Sequence, residues 1–282
     1  MTSATSGGPP LARRRPARIS WRATGIALVS SIVVIGGLGF VVVNAQGWPD
    51  VQRSFLNGPI FSASIPGLVS GFGKNVALFL ICEVLILPLA LVVAVLRGLP
   101  GPVFFPVRAL ATVYVDIFRA LPGILVIYIL GFGIPGLGLP GVPNDPFFWA
   151  IVALTLVYSA YVSEVYRAGI ESVLPSQDAA ARSLGLSQLQ SLRHVLLPQA
   201  VRRVIPPLLN DFIGLQKDTV LVSFIGVVEI FRTADIKKAA TFNFTPYIGV
   251  ALVFIVVTIP LARLTDWLVA RDKRQRAAGQ GR

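Results

Sequence analysis

A chain of 282 residues that is 54% hydrophobic and only 13% charged carries about half the charged fraction of a soluble domain, so its solvent is a bilayer. The 25 Lys and Arg against 13 Asp and Glu give a net charge of +12, but the basic residues cluster between apolar runs and form no single stripe, which argues against a nucleic-acid surface. Cys82 is the only cysteine and His194 the only histidine, which excludes an intrachain disulfide and a Cys/His metal cluster.

The first element, residues 1–22, is a basic, proline-containing tail with the composition of a disordered segment. Six apolar stretches follow that reach the roughly 20 residues needed to cross ~30 Å of hydrocarbon. They run from Ala23 to Val43, Val76 to Leu96, Val107 to Phe132, Phe147 to Ala168, Val204 to Ile225 and Tyr247 to Val269. The first is read as a retained anchor: it is longer than a signal-peptide core, and its Val43-Asn44-Ala45 end is a poor cleavage site. Residues 44–67 form an external connector rich in Gly, Pro and Ser; residues 68–270 are the transmembrane body, and 271–282 a second basic tail.

Lys and Arg alternate between the loops, and that alternation sets orientation. Arg13, Arg14, Arg15, Arg18 and Arg22 precede the first span, and Arg97 and Arg108 flank the turn after the second. The stretch from Gly133 to Pro146 has no basic residue. Arg167, Arg182, Arg193, Arg202 and Arg203 surround the loop after the fourth span, and Arg271, Lys273, Arg274, Arg276 and Arg282 end the chain. Both termini and the loop between spans four and five are therefore expected in the cytoplasm. Arg232, Lys237 and Lys238 run against the trend, on the expected outer side.

The cytoplasmic loop reads as a small structured projection. Ser176 is placed to cap a helix starting at Gln177, and Gly185 to end it in the left-handed conformation. Ser187 with Gln190 fits a capping box opening a second helix, on which Leu189, Leu192, Val195 and Leu196 repeat at the spacing of a buried face. Ala179, Ala180 and Ala181 keep bulk off the first helix, so that a partner groove can approach. An ordinary amphipathic loop helix on the lipid surface is the alternative for the alanine run alone.

The fifth span is chemically the odd one, interrupted by Asn210, Asp211, Gln216, Lys217 and Asp218. Its Leu, Ile, Val and Phe residues favour insertion by about 0.3 to 0.6 kcal/mol each, whereas each central charge costs about 2.5 to 3.5. At ~100° per residue Asn210, Asp211, Gly214, Lys217 and Asp218 share a ~120° sector that is expected to face the bundle interior or a water-filled cavity; Gln216 lies off it. Tyr161, Glu164 and Arg167 make a polar patch in span four, and Glu83 is a lone acid in span two. Ion pairing between helices is the structural alternative to substrate contact for each of these residues.

No nucleotide site is legible. Gly73-Lys74 lacks the glycine a phosphate loop needs at position 68, which is Leu68, and has Asn75 where Ser or Thr belongs. No nucleophile and base or metal set appears, so no enzyme and no cofactor in this chain are expected. A gradient-driven secondary transporter for a small polar solute is the rival, but it usually shows related halves, and no internal repeat is visible.

Residues 179–198, AAARSLGLSQLQSLRHVLLP, resemble the EAA loop of ABC importer permeases: three small residues, Gly185 after three more, then nine to Val195-Leu196-Leu197-Pro198. Tyr114 to Pro122 (YVDIFRALP) resembles the YVxxFRGTP segment of the polar amino-acid uptake branch, and Tyr161 to Gly169 (YVSEVYRAG) its A-E-I-x-R-G-G stretch. Pro206 to Phe212 and Leu215 to Thr219 resemble its PPLxNxF and LxKDTSL segments. Two departures stand out: Ala179 replaces the acidic first residue of the EAA loop, with Asp178 before it, and Ala120 stands where glycine is frequent. The resemblance implies an all-α membrane protein of about six transmembrane helices with a short coupling helix between spans four and five. It further implies a polar amino-acid permease of the bacterial plasma membrane, paired with a second permease chain, two ABC ATPase subunits that hold ATP and Mg, and an extracellular substrate-binding protein. Asp178, Ala179, Ala180, Ala181, Gly185, Val195 and Pro198 are then the ATPase-coupling residues, and Glu83, Tyr161, Glu164, Asn210, Asp211, Lys217 and Asp218 candidates for the substrate path.

Overall fold

The computed structural model describes residues 21–173 and 175–279, and every regular element among them is helical, as backbone that cannot hydrogen-bond to lipid requires. The first basic tail, up to residue 20, lies outside the described residues. The chain divides into two compact units, one ending at Gln52 and one beginning at Arg53.

The first unit holds α1 (Trp21–Val43) and the start of α2 (Trp48–Phe55). Side chains on all sides of α1, Ile32, Val33 and Phe40 among them, are exposed, as in a helix whose solvent is lipid all round. The connector after it is more ordered than its composition predicts, since α2 occupies part of it and α3 (Gly58–Arg97) starts within it. Asn57 caps α3 by accepting from Ile60 N at 3.1 Å.

At 40 residues, α3 is about 60 Å long and overruns the hydrocarbon. Leu78, Cys82, Ile86 and Ala90, four residues apart, are almost fully buried against Ala150, Ala153, Leu154 and Val157 of α7 (Pro146–Glu171). Small residues dominate the buried face of α7, where Ala150, Ala153, Ser159, Ala160 and Ser163 have no exposed surface. They let backbones approach closely, the main source of helix adhesion in lipid.

The third predicted span is not one straight crossing. α4 (Phe105–Ala120) stops at Leu121, which is extended before Pro122 as the proline ring demands. The chain then turns by 106° into α5 (Gly123–Tyr128), a π-helical stretch Ile129–Gly133 and α6 (Ile134–Gly136). The fifth is also divided, into α10 (Leu197–Asp218) and a 3-10 segment Thr219–Ile225 that ends at Gly226 with φ 97°. Four helices among the described residues are long and apolar enough to span a membrane, five if the bent pair counts as one; α10 is not among them. α11 (Ile230–Thr241) and α12 (Thr245–Gly279) complete the bundle, α12 carrying helix into the predicted second tail.

One buried polar knot fastens α11 to α3. Asn75 donates from Nδ2 to Glu229 Oε2 and Thr219 Oγ1, both at 3.0 Å, and accepts from Ile230 N at 3.1 Å. Glu229 caps α11 by accepting from Phe231 N and Arg232 N. Burial pushes its carboxyl above the ordinary value, and these donors with Asn75 pull it back. A Cβ on Gly71 would lie 2.8 Å from the Ile230 backbone, so only glycine permits this approach.

Candidate coupling site and translocation path

The projection between α7 and α10 consists of α8 (Pro175–Ser183), α9 (Gln188–Ser191) and a π-helical stretch Leu192–Leu196. α8 starts at Pro175, before the predicted Ser176 cap, because proline is at home in a first helical turn. Its end is a Schellman motif: Gly185 has φ 86°, Leu186 N donates to Ala181 O at 3.3 Å and Gly185 N to Arg182 O at 3.0 Å. The capping box is present, Gln190 N donating to Ser187 Oγ and Ser187 N to Gln190 Oε1. Asp178 accepts from Ser191 Oγ at 2.6 Å, tying the two helices together.

Ala179, Ala180, Gly185 and Pro198 are exposed, Asp178 and Val195 half-buried, and Ala181 buried. The predicted buried leucine face is wrong in part. Leu189 is 72% and Leu192 49% exposed, and with Leu184 at 85% they make an apolar surface left uncovered by the described residues; Val195 and Leu196 alone are half-buried. The reason is length: α9 is one turn, and the π-helical stretch shifts the register that a continuous α-helix would keep.

Above the projection lies a cleft of about 500 Å³ between α7 and α10, with Arg119 of α4 at its rim. Tyr161, Glu164, Arg203 and Asp211 line it, with Ala168, Gly169 and Pro207 as apolar wall. Glu164 is a point of convergence: Arg97 Nη1 bonds it, Arg167 Nη2 lies at 2.7 Å and Arg119 Nη1 at 4.0 Å. Arg167 also pairs with Glu171 at 2.6 Å. The Arg119 guanidinium stands 5.9 Å from the Tyr161 ring centre, and Arg203 donates to Ser172 O. Asp211 Oδ2 is buried with no hydrogen-bond partner among the described residues. The cleft is thus lined by the Asp211 carboxyl and by the guanidinium groups of Arg119 and Arg203.

The predicted polar sector of span five does not converge on one cavity. Asp211 faces this cleft, and Asp218 faces α7, accepting from Tyr158 Oη at 2.8 Å. Asn210 lines a separate crevice with Thr265 and Asp266 of α12, and Lys217 is exposed. Because α10 is wedged between α7 and α12, a ~120° sector spans two neighbours. Glu83 is half-buried on α3 and is not among the cleft's lining residues. Gln216, unaccounted for in sequence, is buried, accepting from Thr258 Oγ1 of α12 at 3.1 Å. Sequence reading missed the pairing of Arg97 and Arg119 with Glu164, which joins residues 67 and 45 positions apart; an arginine at the end of each helix was the available signal.

Residues 87–274 match the family of binding-protein-dependent transport system inner membrane components. Among curated proteins, the probable glutamine ABC transporter permease protein GlnM of Bacillus subtilis (strain 168) is 39% identical over 65% of this chain and 82% of its own length. The arginine transport system permease protein ArtQ of the same organism is 33% identical over 71% of this chain and 91% of its own. A crystal structure of an amino acid ABC transporter with histidines superposes with a TM-score of 0.67 at 31% identity, covering 73% of this chain and 94% of that one.

Proposed function

Since this chain belongs to the family of binding-protein-dependent transport system inner membrane components and is a transmembrane permease subunit of an amino-acid ABC importer, we propose that a polar amino acid crosses through the cleft walled by Tyr161, Glu164 and Asp211. An amino acid carries an ammonium and a carboxylate. The Asp211 carboxylate accepts from the first and the Arg119 guanidinium donates to the second, both residues lining the cleft and both forming charge-assisted hydrogen bonds.

The observation that carries the mechanism is connectivity. The two helices that wall the cleft, α7 and α10, are the two that emerge from the projection, so a displacement of α8 and α9 reaches Glu164 and Asp211 through rigid helix. The exposed Leu184, Leu189 and Leu192, with Ala179 and Ala180, form the surface that enters a groove on an ATPase subunit. Two permease chains act with two ATPases, which hold ATP and Mg, and with an extracellular substrate-binding protein. Both termini and the projection are cytoplasmic. ATP closes the ATPase pair, the projections move with it, and the bundle passes from inward-facing to outward-facing to accept substrate. A gradient-driven transporter has no use for such a projection.

Deletion of residues 179–185 is expected to abolish ATP-driven uptake of radiolabelled amino acid while the chain still inserts in the membrane; uptake at the wild-type rate would overturn the mechanism.

A further inference from the structure

Phe242 is the one non-glycine residue of positive φ among those described, at 50°. It follows α11 in the left-handed conformation, where glycine or asparagine avoids the clash that a phenylalanine Cβ meets. The corner around it is held rigidly. Buried Asn243 donates to Arg53 O at 2.6 Å and accepts from Thr245 N at 2.9 Å, and Phe244 N donates to Ser54 O at 2.7 Å. Phe55 and Phe244 stack with ring centres 5.1 Å apart. All this order leaves the Phe242 ring 89% exposed. Strained backbone persists where the surroundings over-determine it, and such places concentrate at sites of contact.

The corner lies across the bilayer from the projection. Lys237 Nζ donates to Ala63 O on α3 at 3.3 Å, and Ala63 stands about 50 Å along that helix from Arg97 at 1.5 Å per residue, more than the ~30 Å of hydrocarbon. Arg97 in turn meets Glu164, which stands about two turns before α7 ends at Glu171 and the chain enters the projection. On this far face Arg232, Lys237 and Lys238 outnumber Asp235, against the usual depletion of basic residues there. Ile236, half exposed, and Ala239 extend an apolar stripe from Phe242 along α11.

We propose that this corner is the docking surface for an acidic lobe of the substrate-binding protein on which the family's transport depends, with the Phe242 ring entering an apolar pocket of that partner and Lys238 at the rim. Aromatic side chains that fill a partner's pocket are the usual anchors of an interface, and the Phe242 ring is held out for one. Membrane interfaces, by contrast, select Trp and Tyr and gain nothing from a strained backbone. The proposal rests on the importer reading above.

The test is titration of the complete transporter in proteoliposomes with its purified, substrate-loaded binding protein, reading ATPase stimulation. Phe242→Asn, which suits the left-handed corner better than phenylalanine, is expected to keep basal ATPase and thermal stability while raising the half-stimulating concentration roughly tenfold or more. Lys238→Gln raises it a few-fold and weakens its dependence on salt. Unchanged half-stimulating concentrations in both variants overturn the proposal. A change that appears only as altered dependence on anionic lipid, without the binding protein, also overturns it and assigns the corner to headgroups. A wild type that hydrolyses ATP but is never stimulated removes the importer reading itself, whereas a stimulated wild type with silent variants removes this surface alone.

Discussion

Asp211 is the residue at which structure and use pull in opposite directions. A buried carboxylate oxygen without a partner among the described residues costs about 1–3 kcal/mol. Asp211→Asn keeps the shape and removes the charge. The expected result is a thermal midpoint equal to or a few degrees above wild type, with substrate-stimulated ATPase needing roughly tenfold more amino acid. A lowered midpoint with unchanged stimulation would make Asp211 a structural residue. Glu164 is a different case, since its charge is already answered by Arg97 and Arg167. Sequence alone placed both acids in the membrane, but the distinction between them depends on arginines brought in from α3 and α4.

At the scale of elements, the projection is built from local signals, and those were legible. Gly185 is left-handed and Ser187 with Gln190 closes the box, because capping is decided within a few residues of chain. Ser187→Ala removes a cap worth about 1 kcal/mol. Hydrogen exchange at residues 188–196 is expected to quicken severalfold while the thermal midpoint of the whole chain stays put, and coupling of ATP hydrolysis to uptake should fall with it. Exchange as slow as wild type would mean that packing, not the cap, holds the element. What was not legible is where the leucine face points, since the π-helical stretch Leu192–Leu196 leaves no mark in the hydrophobic pattern. The bend at Leu121 was announced by Pro122 and Gly123 but hidden by apolar residues on both sides, which read as one long crossing.

For the whole molecule, apolar length and the alternation of basic loops gave the class of protein, while charge pattern hid the role of α10. That helix is too polar to meet lipid alone and lies against α7, α12 and α3, so its place in the membrane is a property of the bundle. The knot of Asn75, Thr219 and Glu229 was equally invisible, its members standing up to 154 positions apart.

Cys82 has no exposed surface, its sulfur turned toward Ile151 O, and the chain has no other thiol. The native protein is therefore silent to maleimide reagents and serves as its own blank for sidedness mapping. Ala180→Cys and Phe242→Cys should each take up an impermeant reagent, from the cell interior and exterior respectively, in vesicles of known polarity. Tagging of Ala180→Cys from the exterior and Phe242→Cys from the interior would turn the molecule upside down and leave the motor without a handle.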